Sequence, residues 1–264
     1  MFKEDVVLVT GSTQGIGKAT SLSFYNSGAR VVFTGRNAET LLDIEKELNN
    51  PSRAIFRRVD FLRKESCKEL VDGIVKEWGR IDVLINNCGG IQETGKFLDL
   101  DENAWVNAFE LNLLTAVTMS RLIIPIMSKR GGGRIVNLSS ITALQPGSYN
   151  PHYSAMKMAL INFTKHLSSQ FAKDNILVNS VSPGRIHTKA VVDYMKEKSL
   201  SEKRDISEII SEEKERINST VPLKRFGTSE EVAELIKHIC SDVGGYLTGS
   251  NFLIDGGKLQ SVNM

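Results

Sequence analysis

The stretch that decides the fold is Val6-Val7-Leu8-Val9-Thr10-Gly11-Ser12-Thr13-Gln14-Gly15-Ile16-Gly17, near the start of the 264-residue chain. Four strand-like apolar residues lead into a turn with three glycines, and the residues after the turn have the composition of a helix. Glycine lets the backbone turn tightly and approach a pyrophosphate, whose charge then meets unpaired N–H groups at the helix N-terminus. The pattern predicts a dinucleotide site with contacts from Gly11, Ser12, Gln14, Gly15, Ile16 and Gly17.

Further apolar runs continue the alternation of strand and helix. Seven runs rich in Val, Ile and Leu occupy residues 6–9, 29–33, 54–59, 81–85, 134–138, 176–181 and 251–254. Continuous apolar runs are typical of strands buried on both faces. The sequence therefore predicts an α/β fold with a doubly wound, parallel seven-stranded sheet of the Rossmann type. No linker or repeat marks a boundary, so we expect residues 1–264 to form a single domain.

A highly charged segment between Asp193 and Arg216 differs from the rest of the chain, because more than half of its residues are charged. Apolar residues nevertheless recur at roughly helical spacing, which predicts a pair of amphipathic helices at the sheet edge. Two interpretations remain open at this stage. The helices are either a solvated surface with one packed face, or a mobile substrate lid made by residues 187–220.

Composition narrows the class of function. The net charge is +2, from 33 basic and 31 acidic residues, with no basic stripe of the kind that binds nucleic acid. No window of eighteen uninterrupted apolar residues occurs, and the first strand begins too early for a secretory leader, so we expect a cytoplasmic protein without a membrane segment. Cys67, Cys88 and Cys240 lack metal-ligand spacing, so no metal site is expected. A small-molecule partner is favoured.

The sequence Tyr153-Ser154-Ala155-Met156-Lys157 lies where a helix should begin. Residues four apart share one helix face. A lysine ammonium beside a phenol favours the phenolate and lowers the tyrosine pKa from about 10 toward neutrality. A phenol tuned in this way can exchange protons with a substrate, which makes Tyr153 the candidate acid/base.

Several motifs together resemble the classical short-chain dehydrogenase/reductase family. The glycine spacing G-x-x-x-G-x-G, the run Asn86-Asn87-Cys88-Gly89 with Cys for the usual Ala, and Tyr153 with Lys157 carry the resemblance. Ser140 lies thirteen residues before Tyr153, and Asn112 lies in a predicted helix between strands four and five. The resemblance spans nearly the whole chain. Similar proteins include 3-oxoacyl-(acyl-carrier-protein) reductase-like and glucose dehydrogenase-like members.

The resemblance implies an NAD(P)(H)-dependent oxidoreductase that moves hydride between a nicotinamide and a carbonyl or alcohol, with no metal. Ser140 would hydrogen-bond the substrate oxygen, and Tyr153 would exchange its proton. Lys157 would hold the nicotinamide ribose and acidify the tyrosine. Asn112 would anchor a water that links Lys157 to solvent. Ser139 would have a supporting role.

The family pattern also implies the remaining cofactor contacts. Asp60 and Asn87 would support the adenine pocket and the sheet, and the loop with Pro183, Gly184, Ile186 and Thr188 would hold the nicotinamide carboxamide. His187 is interpreted as a loop residue. At the end of strand two, Gly35 replaces the acid that is frequent in NAD-preferring relatives, and Arg36 offers a fork suited to a phosphate. NADP(H) is therefore favoured over NAD(H).

Substrate and assembly are less determined by the sequence. 3-Oxoacyl thioesters, sugars and small ketones all remain candidate substrates. Two helices, at residues 105–127 and 153–171, carry apolar residues on more than one face, and the last segment resembles the tetramer-forming end of the family. We expect a homotetramer. The alternative function is a catalytically silent dinucleotide-binding scaffold or redox sensor, because fold does not imply activity.

Overall fold

The computed structural model describes residues 2–261 and contains a seven-stranded sheet in which all neighbouring strands are parallel. The strands are β1 (Val6–Val9), β2 (Arg30–Gly35), β3 (Ala54–Arg58), β4 (Val83–Asn86), β5 (Gly133–Leu138), β6 (Ile176–Pro183) and β7 (Asn251–Ile254). Their order across the sheet is β3-β2-β1-β4-β5-β6-β7. The predicted Rossmann-type sheet is confirmed, and each of the seven apolar runs forms one strand.

Helices connect the strands and cover both faces of the sheet. They are α1 (Gly15–Asn26), α2 (Ala38–Glu47), α3 (Lys64–Trp78), α4 (Glu102–Phe109), α5 (Thr115–Arg130), α6 (Pro151–Phe171), α7 (Lys189–Glu202), α8 (Ile206–Thr220) and α9 (Ser229–Cys240). One buried apolar cluster joins α1, α2 and α9 to one face, where Phe24 and Phe33 are fully buried. A second joins α3 and α5 to the other face, around Ile74 and Ile123. The strands are largely apolar because helices cover both faces of the sheet, whereas the edge strand β3 ends in the exposed Arg57 and Arg58.

The strand order places a crevice at the carboxyl ends of the strands. β1 lies between β2 and β4, so the chain leaves β1 toward one edge of the sheet and later returns on the other side of it. Connections on either side of such a switch point diverge and leave room for a ligand. The glycine-rich turn follows β1 at this point, as its position in the sequence predicted.

A π-helical segment, Glu110–Leu114, joins α4 to α5 without a break. The combined stretch Glu102–Arg130 is long and apolar enough to cross a membrane by length and composition, with 44% of its apolar window buried. Its α5 part packs Met119, Ile123 and Met127 into the core against the sheet. A core helix passes the same length and composition test, so this stretch is weak evidence for a membrane span.

The charged segment forms two helices, α7 and α8, which pack against each other. α7 begins at Lys189, four residues before the predicted segment, because the Thr188 side chain caps it by accepting from Val191 N at 3.4 Å. Met195, Ile209 and Ile217 are buried, whereas most of the charged residues are exposed. The predicted amphipathic pair is therefore present in the fold.

Candidate active site

A cavity of about 440 Å³ lies at the carboxyl ends of the strands. Most of the predicted cofactor contacts line it: Gly11, Gln14, Gly15, Ile16, Gly17, Arg36, Asp60, Asn87, Tyr153, Lys157, Pro183 and Thr188. Three others lie outside its wall. Ser12 is fully buried and exchanges hydrogen bonds with the Thr34 backbone, Gly184 N donates to Ile254 O, and the Ile186 side chain is buried. Thr13 and Lys189 also line the cavity, although the sequence did not single them out.

The glycine-rich turn is shaped by contacts that only glycine permits. Gly11 and Gly15 have φ values of 67° and 52°, in the left-handed region. A Cβ on Gly17 would lie 2.3 Å from Gly11 O and 2.6 Å from Asn87 Nδ2. The Gln14 side chain makes no capping bond to α1, so the first N–H groups of that helix remain available to an anion. The turn therefore fits a dinucleotide pyrophosphate.

Gly17→Ala should disrupt this turn. The added methyl meets backbone and amide atoms that have no room to move, so we expect about 1–3 kcal/mol lower unfolding free energy and weaker binding of the dinucleotide. The matched control is Gly73→Ala in α3, where a Cβ would meet nothing within 4 Å; it should stabilise the helix slightly. Thermal melts and NADPH titration of both variants measure the difference. Equal behaviour of the two variants would contradict the packing argument.

The end of the cavity next to β2 and β3 is lined by one basic residue, Arg36, and one acidic residue, Asp60, and β2 itself carries no acid. A Cβ on Gly35 would lie 2.3 Å from Thr13 Cγ2, so a side chain at that position would displace the Thr13 side chain. Arg36 is exposed and lines the cavity. Asp60 lies two residues beyond β3 and accepts a hydrogen bond from Leu62 N at 3.1 Å. Arg36 can therefore bind a phosphate at this end of the cavity.

Tyr153 and Lys157 lie in the first two turns of α6 and face the same cavity. Lys157 is 3% exposed, and its Nζ donates to Leu138 O at 2.8 Å. Burial lowers the pKa of Lys157 from 10.5 to about 8. Lys157 Nζ lies 5.6 Å from the centroid of the Tyr153 ring. The two residues singled out by their spacing are thus brought together.

The pKa of Tyr153 does not move as the sequence predicted. Burial raises it above its usual value of 10, and the hydrogen-bonding contact with the Ser140 side chain opposes this shift. The expectation that Lys157 lowers the tyrosine pKa is wrong for the chain alone, because loss of hydration outweighs any charge effect. Tyr153 is therefore a neutral phenol at neutral pH, the form that can donate a proton.

Ser140 is held by a short relay of hydroxyls. It lies two residues after the end of β5, and its Oγ accepts hydrogen bonds from Thr142 N at 3.2 Å and Thr142 Oγ1 at 3.0 Å. The remaining Oγ–H of Ser140 is free to point toward the Tyr153 phenol. The neighbouring Ser139 donates instead to Lys157 O at 2.8 Å, which ties the end of β5 to α6. Ser139 therefore positions the helix, and Thr142 is a contributor that the sequence did not reveal.

Asn112 lies in the π-helical segment rather than in a regular helix. Its Nδ2 donates to Gly90 O at 2.9 Å and Ala108 O at 3.1 Å, and its Oδ1 accepts from Gly90 N at 2.8 Å. A Cβ on Gly89 would lie 2.9 Å from both Asn112 Oδ1 and Lys157 Nζ. Because Gly89 has no side chain, Asn112 Oδ1 and Lys157 Nζ can both lie close to it. π-Helical turns occur frequently at functional sites.

His187 lies in the loop after β6, and Cys88 lies in the wall of the cavity. His187 N donates to Gly227 O at 2.9 Å, and its ring lies 5.9 Å from the Phe226 ring, edge to face. Burial raises the pKa of the Cys88 thiol, although Lys157 and Arg36 oppose the shift. Across residues 2–261, no group of three His, Cys, Asp or Glu side chains could hold a metal ion.

Several known proteins are similar to this chain in both sequence and fold. The family model for the short chain dehydrogenases matches residues 5–199. The 7alpha-hydroxysteroid dehydrogenase of Bacteroides fragilis is 35% identical over 260 residues, covering 97% of this chain and 95% of that protein. The 3-oxoacyl-(acyl-carrier-protein) reductase of Thermotoga maritima is 36% identical over 253 residues, covering 96% of each protein.

A solved structure agrees with these relatives. L-Sorbose reductase from Gluconobacter frateurii, complexed with NADPH and L-sorbose, superposes with a TM-score of 0.92 at 30% identity, covering 99% of this chain and 98% of that chain. The glycine-rich turn, the strand order of the sheet and the similarity along nearly the whole chain all indicate the same family. This chain belongs to the short-chain dehydrogenase/reductase family and is an oxidoreductase that acts on CH–OH or C=O groups.

Proposed function

We propose that this chain is a single-domain NADP(H)-dependent oxidoreductase in which Tyr153 exchanges a proton with the substrate oxygen. The observation that carries the proposal is that Tyr153 and Lys157 line the same cavity as the glycine-rich turn. A cofactor whose pyrophosphate lies on α1 would extend along this cavity toward Tyr153. The nicotinamide, when bound, supplies or accepts the hydride.

The residues of the chain handle the proton and the charge on oxygen. In reduction, negative charge develops on the carbonyl oxygen as hydride arrives at the carbon. Tyr153 donates its phenolic proton to that oxygen, and the Ser140 hydroxyl donates a hydrogen bond to it. Lys157, fixed by Leu138 O, presents its other N–H groups to the nicotinamide ribose. In alcohol oxidation, Tyr153 is the base.

The raised tyrosine pKa supports carbonyl reduction at neutral pH. A phenol that keeps its proton can donate it, whereas alcohol oxidation requires the phenolate. The preference for NADP(H) rests on Arg36 and on the presence of glycine, in place of an acid, at position 35 of the cavity wall. The NADPH complex of the sorbose reductase agrees with it.

The proposal extends to the surroundings of the site. The substrate is a small carbonyl compound or alcohol, and the sugar, 3-oxoacyl and hydroxysteroid chemistry named for the relatives defines the classes to test. Residues 187–220 act as its lid. The exposed apolar side chains Val106 and Phe109 on α4 contribute to subunit contacts in a homotetramer. The enzyme works in the cytoplasm, without nucleic acid or membrane.

The first test combines cofactor titration with a substrate panel. Purified protein is titrated with NADPH and NADH by fluorescence, and the preferred cofactor is then tested with ketones, 3-oxoacyl esters, keto sugars and hydroxysteroids. We expect tighter binding of NADPH and loss of its absorbance with at least one class. Tight binding without turnover on any class would instead support the dinucleotide-binding scaffold or sensor.

A further inference from the structure

Arg58, the last residue of β3, is placed beside Arg36 by the pairing of β2 with β3. Gly35 is the register partner of Arg58, and Phe33 is the partner of Phe56. Register partners in a parallel sheet project to the same face. The Phe33 and Phe56 rings confirm this by stacking with centroids 5.2 Å apart. The Arg58 side chain therefore leaves the sheet on the face that a side chain at position 35 would share.

That face carries the glycine-rich turn. A Cβ on Gly35 would point at the Thr13 side chain, 2.3 Å from Cγ2 and 3.0 Å from Oγ1. Thr13 lines the cavity together with Gly35 and Arg36. An acid at position 35 would project from this face to meet the adenosine ribose. In this chain position 35 is glycine, and Arg58 projects from the same face on the neighbouring strand.

Direct contact fixes the position of the Arg58 guanidinium. Its Nε donates to the Arg36 backbone oxygen at 3.1 Å. This bond uses one donor of the fork and leaves both Nη groups for another acceptor. Neither Arg36 nor Arg58 has a carboxylate within ion-pair distance in the chain from 2 to 261. By contrast, the adjacent Arg57 projects to the opposite face and pairs with Glu77 of α3 at 3.6 Å.

We propose that Arg58 is a specificity-determining residue that binds the 2′-phosphate of NADP(H) together with Arg36. The inference rests on the proposed function, which it deepens. The Arg58 guanidinium is bonded to the backbone of Arg36, so two arginine side chains extend from neighbouring positions. Two guanidinium groups suit a doubly charged phosphate, which a ribose hydroxyl cannot match. The second cation of the site thus comes from β3, 22 residues after Arg36.

The experiment compares Arg58→Gln with the matched control Arg57→Gln. Calorimetric titration measures binding of 2′,5′-ADP and 5′-AMP, and of NADPH and NADH, to each full-length protein. Loss of charge-assisted hydrogen bonds to the phosphate should weaken 2′,5′-ADP and NADPH about tenfold or more in Arg58→Gln. NADH and 5′-AMP should bind as before, which also shows that the variant is folded. Arg57→Gln should bind all four ligands like the wild type.

Two further measurements sharpen the outcome. Arg58→Lys should recover part of the NADPH affinity, because the charge returns without the fork. Raising the salt concentration should weaken NADPH binding less in Arg58→Gln than in the wild type. If Arg58→Gln keeps the wild-type ratio of NADPH to NADH affinity, the role of Arg58 is overturned while the proposed function stands. If the wild type itself does not distinguish 2′,5′-ADP from 5′-AMP, the NADP(H) preference falls and the role of Arg58 with it.

Discussion

Tyr153→Phe is expected to lower kcat for carbonyl reduction by about 10³-fold while leaving NADPH binding nearly intact. The substitution removes one oxygen atom, the proton donor to the developing alkoxide, and keeps the ring that lines the cavity. Proton transfer acts in the transition state, so the loss should appear in kcat and in kcat/KM equally. Stopped-flow or steady-state loss of NADPH absorbance gives the rates, and fluorescence titration gives the dissociation constant.

Tyr149→Phe is the matched control for this variant. Tyr149 lies four residues earlier, is 54% exposed, and has Lys96 Nζ 5.7 Å from its ring centroid. Removing its hydroxyl should change kcat less than about threefold, because it is outside the wall of the cavity. Equal losses in both variants, or an unchanged kcat in Tyr153→Phe, would show that another group supplies the proton.

The sheet was predictable because its rules are local and repetitive. Each strand is a short apolar run bounded by polar residues, and runs buried on both faces have few alternatives to a parallel sheet. The glycine turn was predictable for a related reason, since left-handed φ values at Gly11 and Gly15 select for glycine at fixed spacing. A sequence pattern predicts the structure well where a backbone conformation can be adopted easily by only one residue type.

Features that depend on contacts between distant segments could not be predicted from the sequence. The side chain that a residue larger than glycine would meet at position 35 belongs to Thr13, 22 residues away. The position of Arg58 next to Gly35 follows only from the register of β2 and β3. The π-helical segment has no composition that separates it from an α-helix, although its Asn112 clamps Gly90 from both sides. Such contacts are fixed by how strands and loops align, which residue spacing alone does not reveal.

The tyrosine pKa shows a second limit of sequence reasoning. The spacing of Tyr153 and Lys157 correctly suggested their proximity, and a charge effect on the phenol followed from proximity alone. Spacing says nothing about hydration, however, and burial shifts the pKa of each residue toward its neutral form. An ammonium that itself holds its proton only up to about pH 8 is a weaker electrostatic partner above that pH.

Lys157→Met is expected to abolish most activity and yet to stabilise the protein at pH 7. The wild-type ammonium is buried, 3% exposed, with one protein acceptor at 2.8 Å. Burying a charge with so little compensation costs free energy, and an apolar side chain of similar length avoids that cost. After allowing for the lost bond to Leu138 O, we expect a gain on the order of 2 kcal/mol in unfolding free energy. Activity should fall because the nicotinamide ribose loses its donor.

The gain in stability should depend on pH in a defined direction. The lysine pKa is 10.5 when unfolded and about 8 when folded, so between these values the unfolded chain binds more protons. Wild-type stability from this group therefore rises with pH across that window, whereas the methionine variant has no such contribution. The advantage of Lys157→Met should be full below pH 8 and should shrink as the pH rises toward 10.5.

Chemical denaturation of both proteins at pH 7 and pH 9.5 measures the difference, with Lys196→Met as the control. Lys196 is an exposed lysine within α7, and its replacement should change stability by less than about 0.5 kcal/mol at either pH. A destabilised Lys157→Met variant, or a gain that does not diminish with pH, would mean that the folded protein pays no penalty for this charge. A gain at pH 7 together with lost turnover would show that the site keeps a destabilising ammonium for its chemistry, as functional residues commonly do.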